Sequence, residues 1–370
     1  MKFKTSQSEL NKALNFVSKA VTTRSTMPIL KGILLKVTDD GKLTLTASDM
    51  EFSIEKTIQV SDAEEGTIVL PARLFADIIR KLPNETVNIS SGDFYNVIIR
   101  TTSSEFRIVG MAADEFPEIG TISEDKKISI NKEIFREMIR KTSFAASVDE
   151  SRGVIVGVLI EIHDGNINMA ALDGFRMSVA SEKTDITDDT DIIIAARILN
   201  EISKIISESD NENENIELVL DKQKAVIVTD DSRIILRIID GVFLKYRDLL
   251  PKSFTTEVNA DKNMLTDSIE RASLFAKEGR NNLIKISVKG DNLQITSKSE
   301  AGDVNENIPV KKNGSDIEIG FNSKYLLDGL KAIRSDDIVL KFNTNVTPCI
   351  LEPVGDENFT YLLLPVRIMA

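Results

Sequence analysis

Residues 71–83 read PARLFADIIRKLP, an amphipathic helix that recurs twice along the chain. Its apolar residues follow the i, i+3, i+4, i+7 spacing of a helix with one buried face. The segments AARILNEISKII at 195–206 and NSKYLLDGLKAI at 322–333 share that spacing, a small or polar start and a cation at the third position. Self-similarity at a regular period is the signature of a repeat architecture. We therefore interpret the three segments as equivalent helices of three repeats.

Two further elements recur in phase with this helix. A second helical pattern lies at 7–20, 131–144 and 260–275, and a hairpin pattern of alternating apolar residues around a tight turn lies at 32–49, 157–173 and 283–298. We predict an α+β fold of three repeated domains, each with two helices packed on antiparallel sheet. The predicted domains are 1–125, 126–253 and 254–370. The joining segments TISEDKK and PKSFTTE are short and not rich in Gly or Ser, which predicts a fixed geometry between domains.

Composition excludes several classes of protein. The chain has 370 residues, 42% of them hydrophobic, which is enough for two or three buried cores. No apolar run approaches a membrane span and the start MKFKTSQSEL lacks the apolar stretch of a signal peptide, so we predict a cytoplasmic protein. The one cysteine, Cys349, excludes an intrachain disulfide and a cysteine-based zinc site. We predict a buried thiol, no metal and no cofactor.

Charge is distributed unevenly along the chain. The net formal charge is -12, yet every repeated helical segment except 260–275 is net positive, while loops such as 182–191 and 208–217 are acidic. One cationic helix face is typical of a solvated surface. Recurrence in all three repeats favours a face that contacts a phosphate backbone. No helix carries an aromatic or Asn/Gln cluster for reading base edges, so the predicted contact is independent of sequence.

Three repeats of one unit predict half of a closed ring, which a second chain completes. A two-fold partner joined head to tail at both ends leaves no open sheet edge. The candidate residues at these ends are Phe106 and Ile108 in the first repeat and Leu274 and Phe275 in the third. The alternative for all four is ordinary domain core.

Several segments, taken in order and spacing, resemble one family along essentially the whole chain. They are MKFKTSQSELNKAL at the start, TRSTMPILKGILL (23–35), LTLTASDMEFSI (43–54), LPARLF (70–75), DEFPEIG (114–120), ALDGFRMSVA (171–180), IGFNSKYLLDGL (319–330) and the ending YLLLPVRIMA. The sequence resembles the bacterial DNA polymerase III beta subunit family, the sliding clamps. The resemblance implies three clamp domains per chain and a ring-shaped homodimer that encircles duplex DNA without sequence specificity. It also implies a non-catalytic, nucleoid-associated protein that tethers the replicative polymerase and repair polymerases and is opened by a clamp loader.

The resemblance and the helix faces together give the candidate DNA contacts. Arg24 and Arg197 match positions that contact the duplex in the family. The helix faces add Arg73, Arg80, Lys81, Arg136, Arg140, Lys141 and Lys204, and further candidates are Arg152, Lys277 and Arg280.

The resemblance also implies a hydrophobic cleft between the second and third domains that binds short linear peptides of partner proteins. Its motif covers Asp173, Gly174, Phe175, Arg176 and Met177, and the remaining candidates are Ile155, Leu172, Leu244, Leu249, Asn322, Tyr325, Val346, Pro348, Leu362, Leu364, Pro365, Val366 and Arg367. Phe175 replaces a common histidine, Leu244 replaces a common proline and Asp248 replaces a frequent basic residue. These departures leave the choice of peptide open. A few buried apolar side chains carry most of the binding energy in such a small interface.

Two other classes of function stay open on the sequence alone. An enzyme is one, although the single histidine, His163, lies at a hairpin turn and no nucleotide-binding, metalloprotease or serine-hydrolase motif occurs. Asp49 and Asp173 end equivalent strands and could do acid-base work, but a role as turn or pocket supports explains them more simply. The other class is a repeat-built protein scaffold that never contacts nucleic acid.

Overall fold

The computed structural model describes residues 1–22, 25–120, 126–186, 189–208, 214–221, 223–229 and 231–368. The chain forms two compact units, one of Met1–Lys132 with Lys204–Ile238 and one of Glu133–Ser203 with Ile239–Ala370. Each unit combines helices with antiparallel sheets, which confirms the predicted α+β class. No helix within these ranges is both long enough and apolar enough to cross a membrane.

Two α-helices form in each repeat at the positions that the apolar spacing predicts. They are α1 (Gln7–Val17), α2 (Ala72–Lys81), α3 (Lys132–Thr142), α4 (Ala196–Glu208), α5 (Lys262–Ala276) and α6 (Ser323–Ala332). The N-cap of α1 is Ser6, whose Oγ accepts a hydrogen bond from the backbone N–H of Glu9 at 3.1 Å. In α2 the buried face holds Phe75, Ile78 and Ile79, as the spacing of 71–83 predicts. Burying each of these side chains contributes about 1.5–3 kcal/mol.

The strands follow the same order in each repeat, except that the described part of the second repeat has no strand between β13 (Arg176–Lys183) and β14 (Thr190–Ala195). The first repeat holds β1 (Lys2–Ser6), β2 (Gly32–Thr38), β3 (Lys42–Ser48), β4 (Phe52–Gln59), β5 (Ser61–Glu64), β6 (Gly66–Pro71), β7 (Thr86–Ser91), β8 (Asn96–Arg100) and β9 (Glu105–Val109). The second holds β10 (Lys126–Asn131), β11 (Gly157–His163), β12 (Asn166–Leu172), β13 (Arg176–Lys183), β14 (Thr190–Ala195), β15 (Asn215–Leu220), β16 (Lys224–Val228) and β17 (Ser232–Arg237). The third holds β18 (Thr256–Asp261), β19 (Leu283–Lys289), β20 (Asn292–Ser299), β21 (Gly302–Pro309), β22 (Lys311–Gly314), β23 (Ile317–Asn322), β24 (Asp337–Phe342), β25 (Cys349–Pro353) and β26 (Phe359–Leu363).

The sheets extend across the repeats, which the sequence did not predict. The first unit holds a sheet of order β5-β1-β7-β8-β9 and an eight-stranded sheet of order β10-β15-β16-β17-β4-β3-β2-β6. The second unit holds a nine-stranded sheet of order β14-β11-β12-β13-β26-β25-β24-β18-β22 and a sheet of order β21-β20-β19-β23. The last strand of the second repeat, β17, thus pairs with β4 of the first repeat. The last strand of the third repeat, β26, pairs in the same way with β13 of the second. Because the sheets are shared, the domain boundaries near 125 and 253 stay a prediction.

One backbone hydrogen bond recurs in all three repeats and confirms the repetition at atomic detail. It joins the segment after the last strand to the strand before the second helix, each time at 2.8 Å. The donor and acceptor are Met111 N–H and Val69 O, Ile239 N–H and Ile193 O, and Val366 N–H and Gly320 O. The three copies therefore share a residue-level register, not only an order of elements.

Candidate functional site

The candidate cleft is built where β13 of the second repeat pairs with β26 of the third. The pairing runs from Arg176 opposite Leu363 to Ala180 opposite Phe359. Beyond β26 the chain stays attached to both repeats, since the N–H of Leu364 donates to the carbonyl of Phe175 at 2.9 Å. Leu364 is thereby held beside the turn that precedes β13.

That turn is shaped by Asp173 and Gly174. One carboxylate oxygen of Asp173 accepts the backbone N–H groups of Phe175 at 2.9 Å and Arg176 at 3.1 Å. Gly174 has φ +90°, a conformation that L side chains rarely adopt, and a Cβ there would lie 3.1 Å from a guanidinium nitrogen of Arg152. Asp173 and Gly174 together give the turn a shape in which Phe175 points outward, and the Phe175 side chain is 57% exposed.

Arg176 is a buried cation that ties the two sides of the cleft together. Its guanidinium pairs with Asp173 at 2.9 Å and with Asp328 of α6 at 2.6 Å, and donates to the carbonyl of Phe144 at 2.8 Å. It also lies 4.4 Å from the ring centre of Tyr325. A buried guanidinium with its donors satisfied on three elements fixes their relative positions.

The aromatic wall of the cleft comes from both repeats. The rings of Phe175 and Tyr325 stack with centres 6.2 Å apart. Tyr325 is placed by the start of α6, where Asn322 Oδ1 accepts the N–H groups of Lys324 and Tyr325 at 3.0 and 3.3 Å. Phe175, at a position where the family resemblance implied histidine, thus adds apolar surface.

The predicted apolar wall divides into a buried floor and an exposed rim. Ile155, Leu172, Met177 and Leu362 are buried in one core cluster, which forms the floor beneath the rim. Ile350, Phe243 and Tyr246 fill the same cluster. The exposed rim residues are Phe175, Leu244, Leu249, Val346, Leu364 and Arg367, and the half-buried ones are Asn322, Tyr325, Pro348, Pro365 and Val366. A rim of exposed apolar side chains over a rigid floor suits a peptide with apolar anchors.

Sequence reasoning missed the residues that support this floor. Tyr246 lies in the short helix Tyr246–Leu249, and its hydroxyl donates to Glu161 at 2.7 Å. Burial and then the neighbouring Glu161 carboxylate raise the pKa of the Tyr246 phenol, so it stays a donor. Arg247 pairs with the same carboxylate at 2.7 Å and fixes the helix that carries Leu249. No local pattern in FLKYRDLL indicates this hydrogen bond, because the acceptor Glu161 lies far away in sequence.

The predicted DNA contacts of the first repeat lie on α2. Arg73, Arg80 and Lys81 are exposed there, and Arg80 pairs with Asp77 of the same helix at 2.5 Å. Arg24 lies outside the described residues. An exposed pair within one helix contributes little stability and is easily exchanged for a phosphate.

On α3 two of the three predicted DNA contacts have partners within the protein. Lys141 is only 9% exposed and pairs with Asp356 at 3.2 Å. Arg140 donates to the carbonyls of Lys331 and Ala332 at 3.1 and 2.9 Å, the last residues of α6. Both side chains are therefore engaged in packing α3 against the third repeat. Sequence reasoning assigned them to a helix face that contacts DNA, because nothing local shows that another helix ends beside them. Arg136 keeps a partly exposed side chain, paired with Glu133 at 2.6 Å.

Arg140→Ala should destabilise the protein by about 2–3 kcal/mol, because it leaves two helix-terminal carbonyls without their charged donor. Urea unfolding checks this prediction. The matched control on the same helix is Arg136→Ala, which removes an ion pair within one turn and should cost less than about 1 kcal/mol. Equal effects of the two substitutions contradict the assignment of Arg140.

The remaining candidate DNA contacts lie on several separate elements of the fold. Arg152 is exposed and donates to the carbonyl of Asp173 at 2.5 Å, which places it at the cleft turn. Arg197 and Lys204 are exposed on α4, and Lys277 is exposed just after α5. Arg280 begins the short helix Arg280–Asn282, and its side chain lies outside what is described.

The predicted dimer residues occupy a strand edge and a helix. β9 is the outer strand of its sheet, and Phe106 on it is partly exposed. Ile108 is buried within its own repeat, which favours the domain-core alternative for that side chain. Leu274 on α5 is exposed, whereas Phe275 is half-buried beside Gly302.

The side chains considered as catalytic groups are either buried or hydrogen-bonded to neighbouring residues. His163 Nε2 lies 2.6 Å from Asp191, a hydrogen bond that raises the pKa of this exposed imidazole. Cys349 is fully buried, and burial raises the pKa of its thiol. Asp49 accepts the N–H groups of Glu51 and Phe52, as Asp173 does in its own turn. Within the described ranges no cluster of His, Cys, Asp and Glu side chains could hold a metal ion.

Comparison with known families gives three matches in chain order. Residues 1–120 match the N-terminal domain of the DNA polymerase III beta subunit, residues 129–245 its central domain and residues 247–367 its C-terminal domain. Among curated proteins, the "Beta sliding clamp" of Staphylococcus aureus is 34% identical over 365 residues, which is 96% of both chains.

Solved structures agree over the full length. The DNA polymerase sliding clamp of Bacillus subtilis superposes with a TM-score of 0.93 at 33% identity, and covers 100% of both chains. A putative DNA polymerase III beta subunit of Eubacterium rectale gives 0.94 at 32% identity with the same coverage. A sliding clamp of Pseudomonas aeruginosa, solved bound to griselimycin, gives 0.92 at 26% identity. The consecutive domain matches and the full-length relatives lead to one conclusion: the chain belongs to the DNA polymerase III beta subunit family.

Proposed function

We propose that this chain is a DNA sliding clamp, a processivity factor of DNA replication. Two copies close a ring around duplex DNA, and the ring tethers the replicative polymerase, repair polymerases and the clamp loader. The observation that carries the proposal is the cleft at the β13–β26 pairing, where exposed Phe175, Val346 and Leu364 stand over a buried floor. Full-length likeness to clamps of known structure supports it.

Topological linkage explains why few DNA contacts are needed. A ring cannot leave a closed duplex, so its phosphate contacts can be weak and exchangeable. Exposed Arg73, Lys81 and Arg197 suit such contacts, which depend on charge and not on base sequence. Water-mediated cationic contacts keep the energy along the duplex nearly flat, so the ring diffuses along it. Acidic loops elsewhere on a chain of net charge -12 oppose nonspecific binding by other surfaces.

Partner proteins dock by short peptides at the cleft. Apolar anchors of the peptide rest on the exposed rim, while buried Arg176 and its carboxylate partners hold the rim rigid. A pre-formed site reduces the ordering cost of a small interface. Because several partners use one cleft, they compete for the ring in turn. The clamp itself performs no catalysis, works in the cytoplasm and needs no cofactor.

Size-exclusion chromatography with DNA tests this function. We expect that the clamp, loaded by a clamp loader with ATP, elutes with nicked circular DNA and separates from linear DNA of the same length. A protein scaffold ignores both DNA forms, and a conventional DNA-binding protein is retained equally by both. Either of those patterns contradicts the proposal.

A further inference from the structure

An open groove runs through the first unit, the part of the chain formed by Met1–Lys132 and Lys204–Ile238. It has a volume of about 1400 Å³ and is lined by α1 and β4 of the first repeat and by β15, β16 and β17 of the second. Phe16 is half-buried in it, and Val228 is 40% exposed on its wall. Small-molecule pockets measure about 300–1,000 Å³, so a groove of this size fits a peptide segment better.

A recurring backbone bond identifies the equivalent position on the first helix of each repeat. Gln7 and Lys132, the first residues of α1 and α3, donate their N–H groups to the carbonyl of the residue before β7 and before β15, at 3.0 and 2.8 Å. Phe16 is nine residues after Gln7, and Lys141 is nine residues after Lys132. Phe16 and Lys141 therefore occupy equivalent positions.

The last strands of the second and third repeats align in the same way. The recurring bond that follows β17 and β26 makes Ser232 the equivalent of Phe359. The strand pairings agree, because Ser232 is opposite Lys56 and Phe359 is opposite Ala180, the fifth residues of β4 and β13. One position of the fold thus carries a hydroxymethyl group in the first unit and an aromatic ring in the second.

In the second unit the chain itself fills this place. The ring of Phe359 is buried, and the ammonium of Lys141 lies 5.9 Å from its centre. Asp356 pairs with the same ammonium at 3.2 Å. The aromatic ring is thus packed between the second and third repeats and shielded from water.

In the first unit the same kinds of group are arranged differently. The cation is Lys56 of β4, which pairs with Asp231 and lies 5.1 Å from the ring centre of Phe16 on α1. No ring extends from Ser232, which is one of the residues that line the groove. The volume that Phe359 fills in the second unit is left open beside Ser232, and this explains why a groove forms there.

Carboxylates predominate around the groove. Five carboxylates and three lysines line it, and one of the lysines, Lys56, is already paired with Asp231. Glu9 on α1, Glu214 just before β15 and Glu217 on β15 are exposed. A negative rim attracts a basic segment, and it disfavours an acidic segment or nucleic acid.

We propose that this groove binds a peptide segment of a partner protein through one aromatic side chain flanked by basic residues. The aromatic ring takes the place beside Ser232 that Phe359 fills in the second unit, with Lys56 against its face. The flanking Lys or Arg residues pair with Glu214 and Glu217 on the rim. The groove lies in the first unit and the cleft at the β13–β26 pairing in the second, so one chain offers its partners two different docking sites.

The anchor and the flanking charges contribute differently to binding. Burial of an aromatic side chain removes about 150–250 Å² of its surface from water, so the anchor supplies most of the affinity. Ion pairs at an exposed rim add little affinity but select the sign of charge of the partner. Loss of the anchor is therefore expected to have the larger effect.

Fluorescence anisotropy with a labelled synthetic peptide, Gly-Lys-Lys-Phe-Lys-Lys-Gly, tests the groove on the full-length chain. The native chain should bind it with a dissociation constant below about 1 mM, and at least about tenfold tighter than the same peptide with Ala in place of Phe. An unlabelled polymerase peptide that occupies the cleft should not displace it. Absence of binding, equal binding of the two peptides or displacement by the cleft peptide overturns the proposal.

Substitutions that fill the groove give a matched comparison. Val228→Trp, on its wall, should weaken the peptide at least about tenfold, whereas Val354→Trp, at an exposed valine of the second unit, should leave affinity within about twofold of the native value. Ser232→Phe restores the ring found in the second unit and should abolish binding. Thermal unfolding verifies the fold of each variant, and Val228→Trp decides if Ser232→Phe does not fold. A folded, filled variant that binds as tightly as the native chain overturns the proposal.

Charge reversal tests the rim. Glu214→Lys, Glu217→Lys should weaken the peptide about three- to tenfold at low salt. The control Glu300→Lys, Glu357→Lys makes the same change in net charge at exposed positions outside the groove and should alter affinity less than about twofold. Equal losses in the two variants attribute binding to overall charge and contradict the assigned rim.

Discussion

Removing the chain from Leu364 onward abolishes binding of a polymerase-derived peptide, with an expected loss of affinity of at least about 100-fold. The truncation takes away Leu364, Pro365 and Val366, and with them the rim that crosses the cleft. It also removes the backbone bond from Leu364 to Phe175, which holds the aromatic wall beside the third repeat. Fluorescence anisotropy with a labelled peptide from the C-terminal segment of the replicative polymerase measures the change.

A pair of matched substitutions locates the effect on the cleft. Val346→Asp places a charge on the rim, where the valine is 68% exposed, and should weaken the peptide at least about tenfold. Val354→Asp makes the same change at an exposed valine directly after the last residue of β25, whereas Val346 lies before its first residue. This control should leave peptide affinity unaltered. Sedimentation shows whether the truncated chain still dimerises. Retained peptide affinity after truncation places the cleft elsewhere.

Reversing the charges of Arg73, Lys81 and Arg197 to Glu should reduce loader-dependent DNA loading and polymerase stimulation at least about tenfold. The three side chains are exposed on α2 and α4, and each phosphate contact contributes counterion release to binding. Primer extension on a primed circle, with clamp loader and polymerase, gives the readout. Arg140 and Lys141 are left intact because their partners lie within the protein.

The matched control carries the same change in net charge away from the helices. Lys183, Lys289 and Lys311 are exposed on β13, β19 and β22, and their reversal to Glu should leave loading within about twofold of the native chain. Both triple variants should bind the cleft peptide normally. Equal loss in the two variants points to overall charge and contradicts specific contact by the helices.

Local periodicity was enough to predict the helices and hairpins of the fold. The spacing in 71–83 and the alternation in 32–49 depend on neighbours within one element, so each copy could be recognised separately. Pairing of β17 with β4 and of β26 with β13 joins strands far apart in sequence. Alternation is the same for an edge strand and a shared one, so the sequence carried no signal for sheets that cross the repeats.

The sequence indicated which segments belong to the candidate site, but not which of their side chains are buried or which partners they contact. Family resemblance gave the positions of the cleft, but exposed rim and buried floor differ only by side-chain direction, so Leu172 and Leu364 looked alike in sequence. Cationic helix faces were recognised by spacing, and spacing does not reveal that α6 ends beside Arg140. Support by Glu161 for Tyr246 was missed for the same reason, since hydrogen-bond partners across a fold leave no local pattern.

Cutting the DNA after loading tests the central claim most directly. The clamp is first loaded onto a nicked circle, freed of loader and nucleotide, and brought to moderate salt. A restriction enzyme then linearises half of the sample, and the amount of clamp bound to each half is measured. Topological linkage predicts that clamp stays on the intact circle and leaves the linear DNA through its ends, whereas equal retention on both contradicts encirclement.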